Sequence, residues 1–203
     1  MQIEFSELSA NQRYHILTQT VIPRPIAWVL SENTDRSLNL APFSFFNAIC
    51  SDPALLMISI GKKDDGVRKD TAVNILSERE FTVHIANDDQ AEMLTSSAAT
   101  RPYGDSELEE LELTTTHFEG SNTTRLEQCD IAFRCKLYDT HYLGPNEQCI
   151  VYCEVLSTYV SDSVVTKREQ RISIHSDLVR PLARLGAAQY ATAGKSFSLR
   201  RPK

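Results

Sequence analysis

Residues 129–160 read CDIAFRCKLYDTHYLGPNEQCIVYCEVLSTYV. Cys129, Ile131, Phe133, Cys135 and Leu137 alternate with Asp130, Arg134 and Lys136. A period of two sends successive side chains to opposite faces of a strand. Gly144, Pro145 and Asn146 supply a turn. Residues 148–160 form a second strand, apolar on both faces through Ile150, Val151, Tyr152, Val155 and Leu156. The two runs are expected to pair as an antiparallel hairpin.

Upstream, Phe81, Val83 and Ile85 alternate with Thr82 and His84, another strand pattern. Leu55–Ile60 is a compact apolar run between Pro53 and Gly61 and reads as a buried strand. Leu40–Phe46 is extended, with Pro42 marking an irregularity or an edge. Ile26–Leu30 is a first strand, entered through the stiff segment Ile22-Pro23-Arg24-Pro25. Residues 33–37 and 62–66 are turns. Helical spacing of Ala72, Ile75 and Leu76 predicts a helix over 70–78, with Asp70 as its N-cap. Asn87 with Gln90 resembles a capping box for a second helix reaching about Ser97. A short helix is expected within residues 1–20, and one helical turn in the acidic stretch 100–127. Another is expected over Leu182-Ala183-Arg184-Leu185-Gly186, with the glycine as C-cap. Strands outnumber helices and rarely alternate with them. The expectation is a single domain over 1–203, mainly β, a mostly antiparallel barrel with a few peripheral helices.

A net charge of −6 argues against a nucleic-acid surface. No apolar run is long enough for a transmembrane helix, and the first residues lack a signal-peptide core, so the expected location is the cytoplasm. Cys50, Cys129, Cys135, Cys149 and Cys153 are odd in number and expected to be reduced thiols. The spacings 129/135 and 149/153 are not the two-residue turns that wrap a tetrahedral metal ion. With seven glycines there is no GxGxxG, and HExxH, GxSxG and P-loop patterns are also missing.

Three segments could carry chemistry. In Asn39-Leu40-Ala41-Pro42-Phe43-Ser44-Phe45-Phe46-Asn47, aromatic residues stand beside small polar ones, and Pro42 has no N–H for a neighbouring strand. Interrupted pairing frees backbone groups for a planar heterocycle; the plainer alternative is a core strand ending in a turn. Arg68-Lys69-Asp70-Thr71 opens a helix, where free N–H groups, a lysine and a hydroxyl suit a phosphate. The alternative is a well-capped, solvated helix start. In Pro23-Arg24-Pro25 the prolines restrict an arginine that could meet a phosphate or carbonyl oxygen, or sit on a rigid turn.

Taken in order, Pro23–Val29, Asn39–Asn47 and Lys69-Asp70-Thr71 with Asn74-Ile75 resemble the flavin reductase-like, FMN-binding split-barrel family, with flavoredoxin and the reductase component of nitrilotriacetate monooxygenase among its members. The resemblance implies a Greek-key split β-barrel working as a homodimer, with FMN rather than FAD near the subunit interface. It implies that Asn39, Leu40, Ala41, Pro42, Phe43, Ser44, Phe45 and Asn47 line the isoalloxazine and ribityl. It places Ser59, Lys69, Asp70 and Thr71 around the phosphate, and Arg24 near the flavin or its phosphate. The implied activity is hydride transfer from NAD(P)H to the flavin, which then serves an acceptor, a flavin-dependent monooxygenase or another electron-transfer protein. A flavoredoxin-like carrier, a non-catalytic flavin-binding protein and a barrel that has lost flavin are the alternatives. Three turns depart from the family pattern: Asp35-Arg36-Ser37, Arg79 and Gly186-Ala187 stand where glycines are frequent.

Overall fold

The structure is a computed structural model and describes residues 1–169, 171–200 and 202. Its elements in chain order are α1 (Ala10–Thr20), β1 (Arg24–Pro25), β2 (Ala27–Glu32), β3 (Leu38–Phe43), β4 (Phe46–Ser51), β5 (Ala54–Ile60), α2 (Asp70–Glu78), β6 (Glu80–Ile85) and α3 (Ala91–Ser96). There follow β7 (Thr115–His117), β8 (Thr124–Leu126), β9 (Ile131–Leu143), β10 (Gln148–Val160), β11 (Val165–Arg168), β12 (Arg171–Ile174), α4 (Ser176–Val179), β13 (Leu182–Arg184) and β14 (Tyr190–Thr192).

Seven strands form one antiparallel sheet in the order β3-β2-β6-β9-β10-β5-β4. The β9–β10 hairpin is its centre, with Val160 opposite Ile131 and Gln148 opposite Leu143. Two register shifts, at Tyr152/Cys153 and Val155/Ser157, bend these long strands as bulges do. The edge strands β3 and β4 are consecutive in the chain, joined by Ser44-Phe45. The sheet therefore curls until its two ends meet at that bend. There the Ser59 N–H donates to the Phe45 carbonyl at 2.8 Å.

Strand β2 is buried on both faces. Ala27 and Val29 point into the barrel with Ile58, Val83, Cys135, Val151 and Cys153. Trp28 and Leu30 face outward into a second core with Leu40, Leu94 and Leu126. Two cores on one strand explain its unbroken apolar run. The indole N–H of Trp28 donates to Ser97 Oγ at 2.9 Å, tying β2 to the end of α3. His84 of β6 is also fully buried. Its Nδ1 lies 3.0 Å from the Trp28 carbonyl, and its Nε2 accepts the Leu126 N–H at 2.9 Å.

The mainly β expectation holds, and so do the helix at 70–78 and the one ending near Ser97. Three expectations change: the cap of α2, the conformation of Leu182–Arg184 and the role of Gly186. Lys69, not Asp70, is the N-cap of α2; the Asp70 carboxylate instead meets Lys63 Nζ at 2.8 Å. The helix expected within the first twenty residues is α1, eleven residues long and opened by a capping box of Ser9 and Gln12. Residues 100–127 carry the expected single helical turn, in which the Leu111 N–H donates to the Glu107 carbonyl at 3.1 Å, and add the β7–β8 hairpin. Leu182–Arg184 is a strand, since the short edge of β1 offers it a partner. Gly186 is no C-cap: it packs on α1, where an added Cβ would stand 2.4 Å from Gln19 Cγ and 3.1 Å from Gln19 Cα.

The three turns that lack the family's glycines share one property. Arg36, Arg79 and Ala187 have φ of 74°, 67° and 52°. Glycine enters this left-handed region freely, whereas other residues do so at a cost.

Candidate functional site

A small cleft lies between the edge strand β3, the start of α2 and the segment that follows α3. Its walls include Asn39, Ala41, Pro42, Lys63, Lys69, Asp70, Thr71, Arg101 and Glu107. Six of the thirteen residues expected around a flavin thus meet here: Asn39, Ala41, Pro42, Lys69, Asp70 and Thr71.

At the α2 end, no side chain caps the helix. Its first turn therefore keeps N–H groups and partial positive charge for a ligand. Asn39 Nδ2 donates to Thr71 Oγ1 at 2.9 Å and to Ser31 Oγ at 3.2 Å. With that bond accepted, the Thr71 hydroxyl proton remains to donate into the cleft. Lys69 Nζ lies 5.6 Å from the Phe43 ring centroid, a cation–π contact that orients the ammonium. Lys63 is paired with Asp70 and Arg101 with Glu110, so among the described residues lining the cleft Lys69 is the cation left outside an ion pair.

The opposite wall comes from residues 97–107, which run from the end of α3 into the acidic stretch 100–127. Four contacts hold it. Lys63 Nζ donates to the Arg101 carbonyl at 3.3 Å, and the Tyr103 hydroxyl donates to Asn74 Oδ1 at 3.1 Å. Gly104, at φ +94°, lets the turn approach Asp35. The buried Glu107 carboxylate accepts the Leu40 N–H at 2.8 Å. Burial raises the Glu107 carboxyl above the ordinary range, opposed by that N–H. Arg101 is ion-paired with Glu110, yet its Nε–H is buried without a partner. Such orphans are rare in folded proteins. The single sequence signal for these residues was their order, a cation and a carboxylate flanking Pro102 and Gly104.

The remaining expected residues lie along the strand beyond the cleft or away from it. Leu40 turns its side chain into the outer core. Phe43 is buried in the barrel core, and Ser44 accepts from Arg24 Nε at 3.4 Å. Phe45 stands exposed at the bend, 6.3 Å from the Tyr14 ring. Asn47 is exposed, with Oδ1 accepting the Ala48 N–H. Ser59 Oγ accepts from Gln148 Nε2 at 2.9 Å. Arg24 is not brought to the cleft. Its guanidinium donates to the carbonyls of Thr18, Val21 and Leu185, clamping α1 to the tail strand.

A wider cleft of about 450 Å³ lies on the other side of α2, but its cations are already matched. Arg36 pairs with Glu32, and Arg134 with Glu80 at 3.1 Å. The smaller cleft, with an uncapped helix and with Lys69 outside the ion pairs of the described residues, is the better anion site.

The Flavin reductase like domain model matches residues 19–175, most of the chain and all of this cleft. The chain belongs to the flavin reductase-like family. It is 35% identical over 200 residues to the uncharacterized protein YwrF of Bacillus subtilis (strain 168), covering 97% of this chain and 96% of that one. Nitrilotriacetate monooxygenase component B from Bacillus cereus superposes with a TM-score of 0.89 at 30% identity, over 98% of both chains. The 2-nitrobenzoate 2-nitroreductase NbaA of Pseudomonas fluorescens gives 0.88 at 29%, over 100% of this chain and 96% of that one. The curled sheet is thus the split barrel of the flavin reductase-like family, and the protein is a flavin-related oxidoreductase or electron carrier. Among the described residues no helix is long and apolar enough to cross a membrane.

The cleft fits a flavin phosphate on its own chemistry: an open helix start, an ammonium and a spare hydroxyl proton. The bend beyond it, with Pro42 lacking an N–H and Phe45 exposed, offers a surface to a planar ring.

Proposed function

We propose that the chain is an FMN-binding oxidoreductase using NAD(P)H as co-substrate. The observation that carries this reading is the cleft at the start of α2, built for a phosphate and continuous with the open edge of β3. Bound FMN would supply the redox chemistry, taking a hydride from NAD(P)H and passing electrons to an acceptor. The chain's residues bind and orient. Lys69 and the α2 N–H groups hold the phosphate, with Thr71 donating its hydroxyl proton. Asn39, locked by Ser31 and Thr71, keeps β3 and α2 in register so that the phosphate and ring positions stay a fixed distance apart. Ala41 and Pro42 form the wall between them.

We further propose a homodimer. The ring-binding bend is bordered by exposed apolar groups, Tyr14, Leu17, Phe45 and Ile49, which one subunit leaves uncovered. A second subunit would cover them and exclude water from the ring. A partner oxygenase as electron acceptor is supported by the resemblance to a monooxygenase component B.

The test is an absorption spectrum of protein loaded with FMN, followed by NAD(P)H oxidation under steady turnover. Bound flavin with steady NAD(P)H consumption supports the reductase. Bound flavin bleached only by a reduced protein donor moves the assignment to an electron carrier. A protein that binds neither FMN nor FAD overturns the flavin reading.

A further inference from the structure

An apolar groove of about 590 Å³ lies against the small sheet β1-β13-β14 and shares no residue with the cleft at the start of α2. Pro25, Ala183 and Ala191 are direct neighbours across the three strands and make its floor. Ile22, Ile85 and Leu185 add to its walls. Proline and alanine fill little of the space above a sheet, so the trough stays open. Apolar surface left open in this way marks an interaction site.

The chain also carries what fits it. Ala193 lines the groove, and residues 194–203 leave from there. Phe197 and Leu199 stand two apart, so in extended backbone they face one side. At 83% and 84% exposure they are, after Met1, the most exposed large apolar side chains among the described residues. In their own chain they are not folded back onto the groove. Residues 193–200 hold no turn or bend, and no backbone hydrogen bond reverses them, so they run on outward from β14. The occupant that the geometry favours is the tail of a second copy. Groove and tail begin at one place, so a two-fold axis beside Ala193 sets each tail on the other copy's groove, and both contacts form at once. The groove also continues an apolar row. Exposed Val21 and Ile22 extend the line of Tyr14 and Leu17 along α1, which the homodimer reading already covers. Charge agrees. Next to Pro181 at one end of the groove, Asp88 and Asp89 share the single guanidinium of Arg180, which leaves a carboxylate charge for Arg200, the residue after Leu199.

We propose that two copies of the chain exchange their C-terminal segments, Phe197 and Leu199 of one copy seating in the groove over Pro25, Ala183 and Ala191 of the other. This rests on the homodimer reading above and adds to it the segment that locks the copies together.

The experiment puts the photoreactive residue p-benzoylphenylalanine in place of Phe197 in the full chain, irradiates it, and reads the cross-links by denaturing gel and peptide mass spectrometry. The expected product runs at twice the chain mass, with its attachment within residues 22–26 or 181–193. The same attachment at single-chain mass overturns the exchange, because the tail then lies on its own groove. A dimer that cross-links elsewhere, or not at all, overturns it as well. Sedimentation gives a second readout. Burying one large apolar side chain is worth about tenfold or more in an equilibrium constant. The contact occurs twice in a symmetric dimer, so the double variant Phe197→Ser, Leu199→Ser should raise the dimer dissociation constant at least about 100-fold. Both side chains are exposed in the single chain, so the variant keeps its fold. An unchanged dissociation constant overturns the exchange and leaves the homodimer standing. A native chain that sediments as a monomer at every concentration overturns this inference together with the homodimer reading beneath it.

Discussion

His84 makes folding stability depend on pH in a way that can be calculated. The ring is fully buried, its Nδ1 faces the Trp28 carbonyl and its Nε2 accepts the Leu126 N–H. That arrangement fixes the neutral tautomer with its proton on Nδ1. A second proton would set an N–H against the Leu126 N–H and bury a charge. Burial accordingly pushes the His84 pKa from 6.5 down to about 4. The folded value lies below the unfolded one, so the unfolded chain binds the proton more readily. Stability is complete above pH 6.5 and is lost as pH falls from 6.5 towards 4. Linkage between those two values gives a loss of about 2 kcal/mol at pH 5, levelling at about 3 kcal/mol below pH 4. Urea unfolding at pH 8 and pH 5, on the native chain and on His84→Gln, isolates this share, because surface carboxylates titrate alike in both. The native chain should lose about 2 kcal/mol more than the variant between the two pH values. Equal losses would refute the argument. So would a ring-nitrogen NMR titration showing His84 protonating near pH 6.5 in the folded state.

Replacing Arg79 by glycine should raise stability by about 0.5–1 kcal/mol, since a left-handed residue is relieved while its carbonyl still accepts the Leu137 N–H; an unchanged or lowered urea midpoint counts against it. Gly186→Ala should destabilise by about 1–3 kcal/mol, because the new methyl meets Gln19 of α1. A melting temperature equal to that of the native chain would show that α1 shifts freely. Thiol labelling of the folded chain should modify no more than one cysteine quickly, Cys50, with the other four reacting on unfolding. Burial pushes the Cys129 thiol up to about 12, and Cys153 together with burial raises Cys135. Fast labelling of two or more would contradict the packing.

Much of the barrel was legible because its signals are local. The alternation from Cys129 to Leu137 and the proline-bounded run Leu55–Ile60 each specify a strand without reference to the rest of the chain. The misreadings came where tertiary contacts decide. Leu182–Gly186 has a helix-like composition, but β1 presents a free edge, and Gly186 serves a close approach to α1 that no local pattern reveals. Asp70 looks like a cap, yet Lys63, seven residues earlier, claims its carboxylate. The cleft was half legible. Lys69, Asp70 and Thr71 announce a helix start, while Arg101 and Glu107 reach the same place from a polar stretch whose folding depends on Asn74, Lys63 and the β3 edge. Arg24 shows the converse: two prolines do hold an arginine still, but for three backbone carbonyls instead of a ligand.

The bend at Ser44-Phe45 works as a clasp, since both rims of the sheet are one uninterrupted piece of chain. A molecule gripping the clasp does not stiffen a loop alone. It resists the motion by which the sheet would uncurl, so its binding energy is felt by strands that never touch it. Occupancy of the site and integrity of the fold are in this way one equilibrium, and a chain emptied of its ligand should be easier to open everywhere.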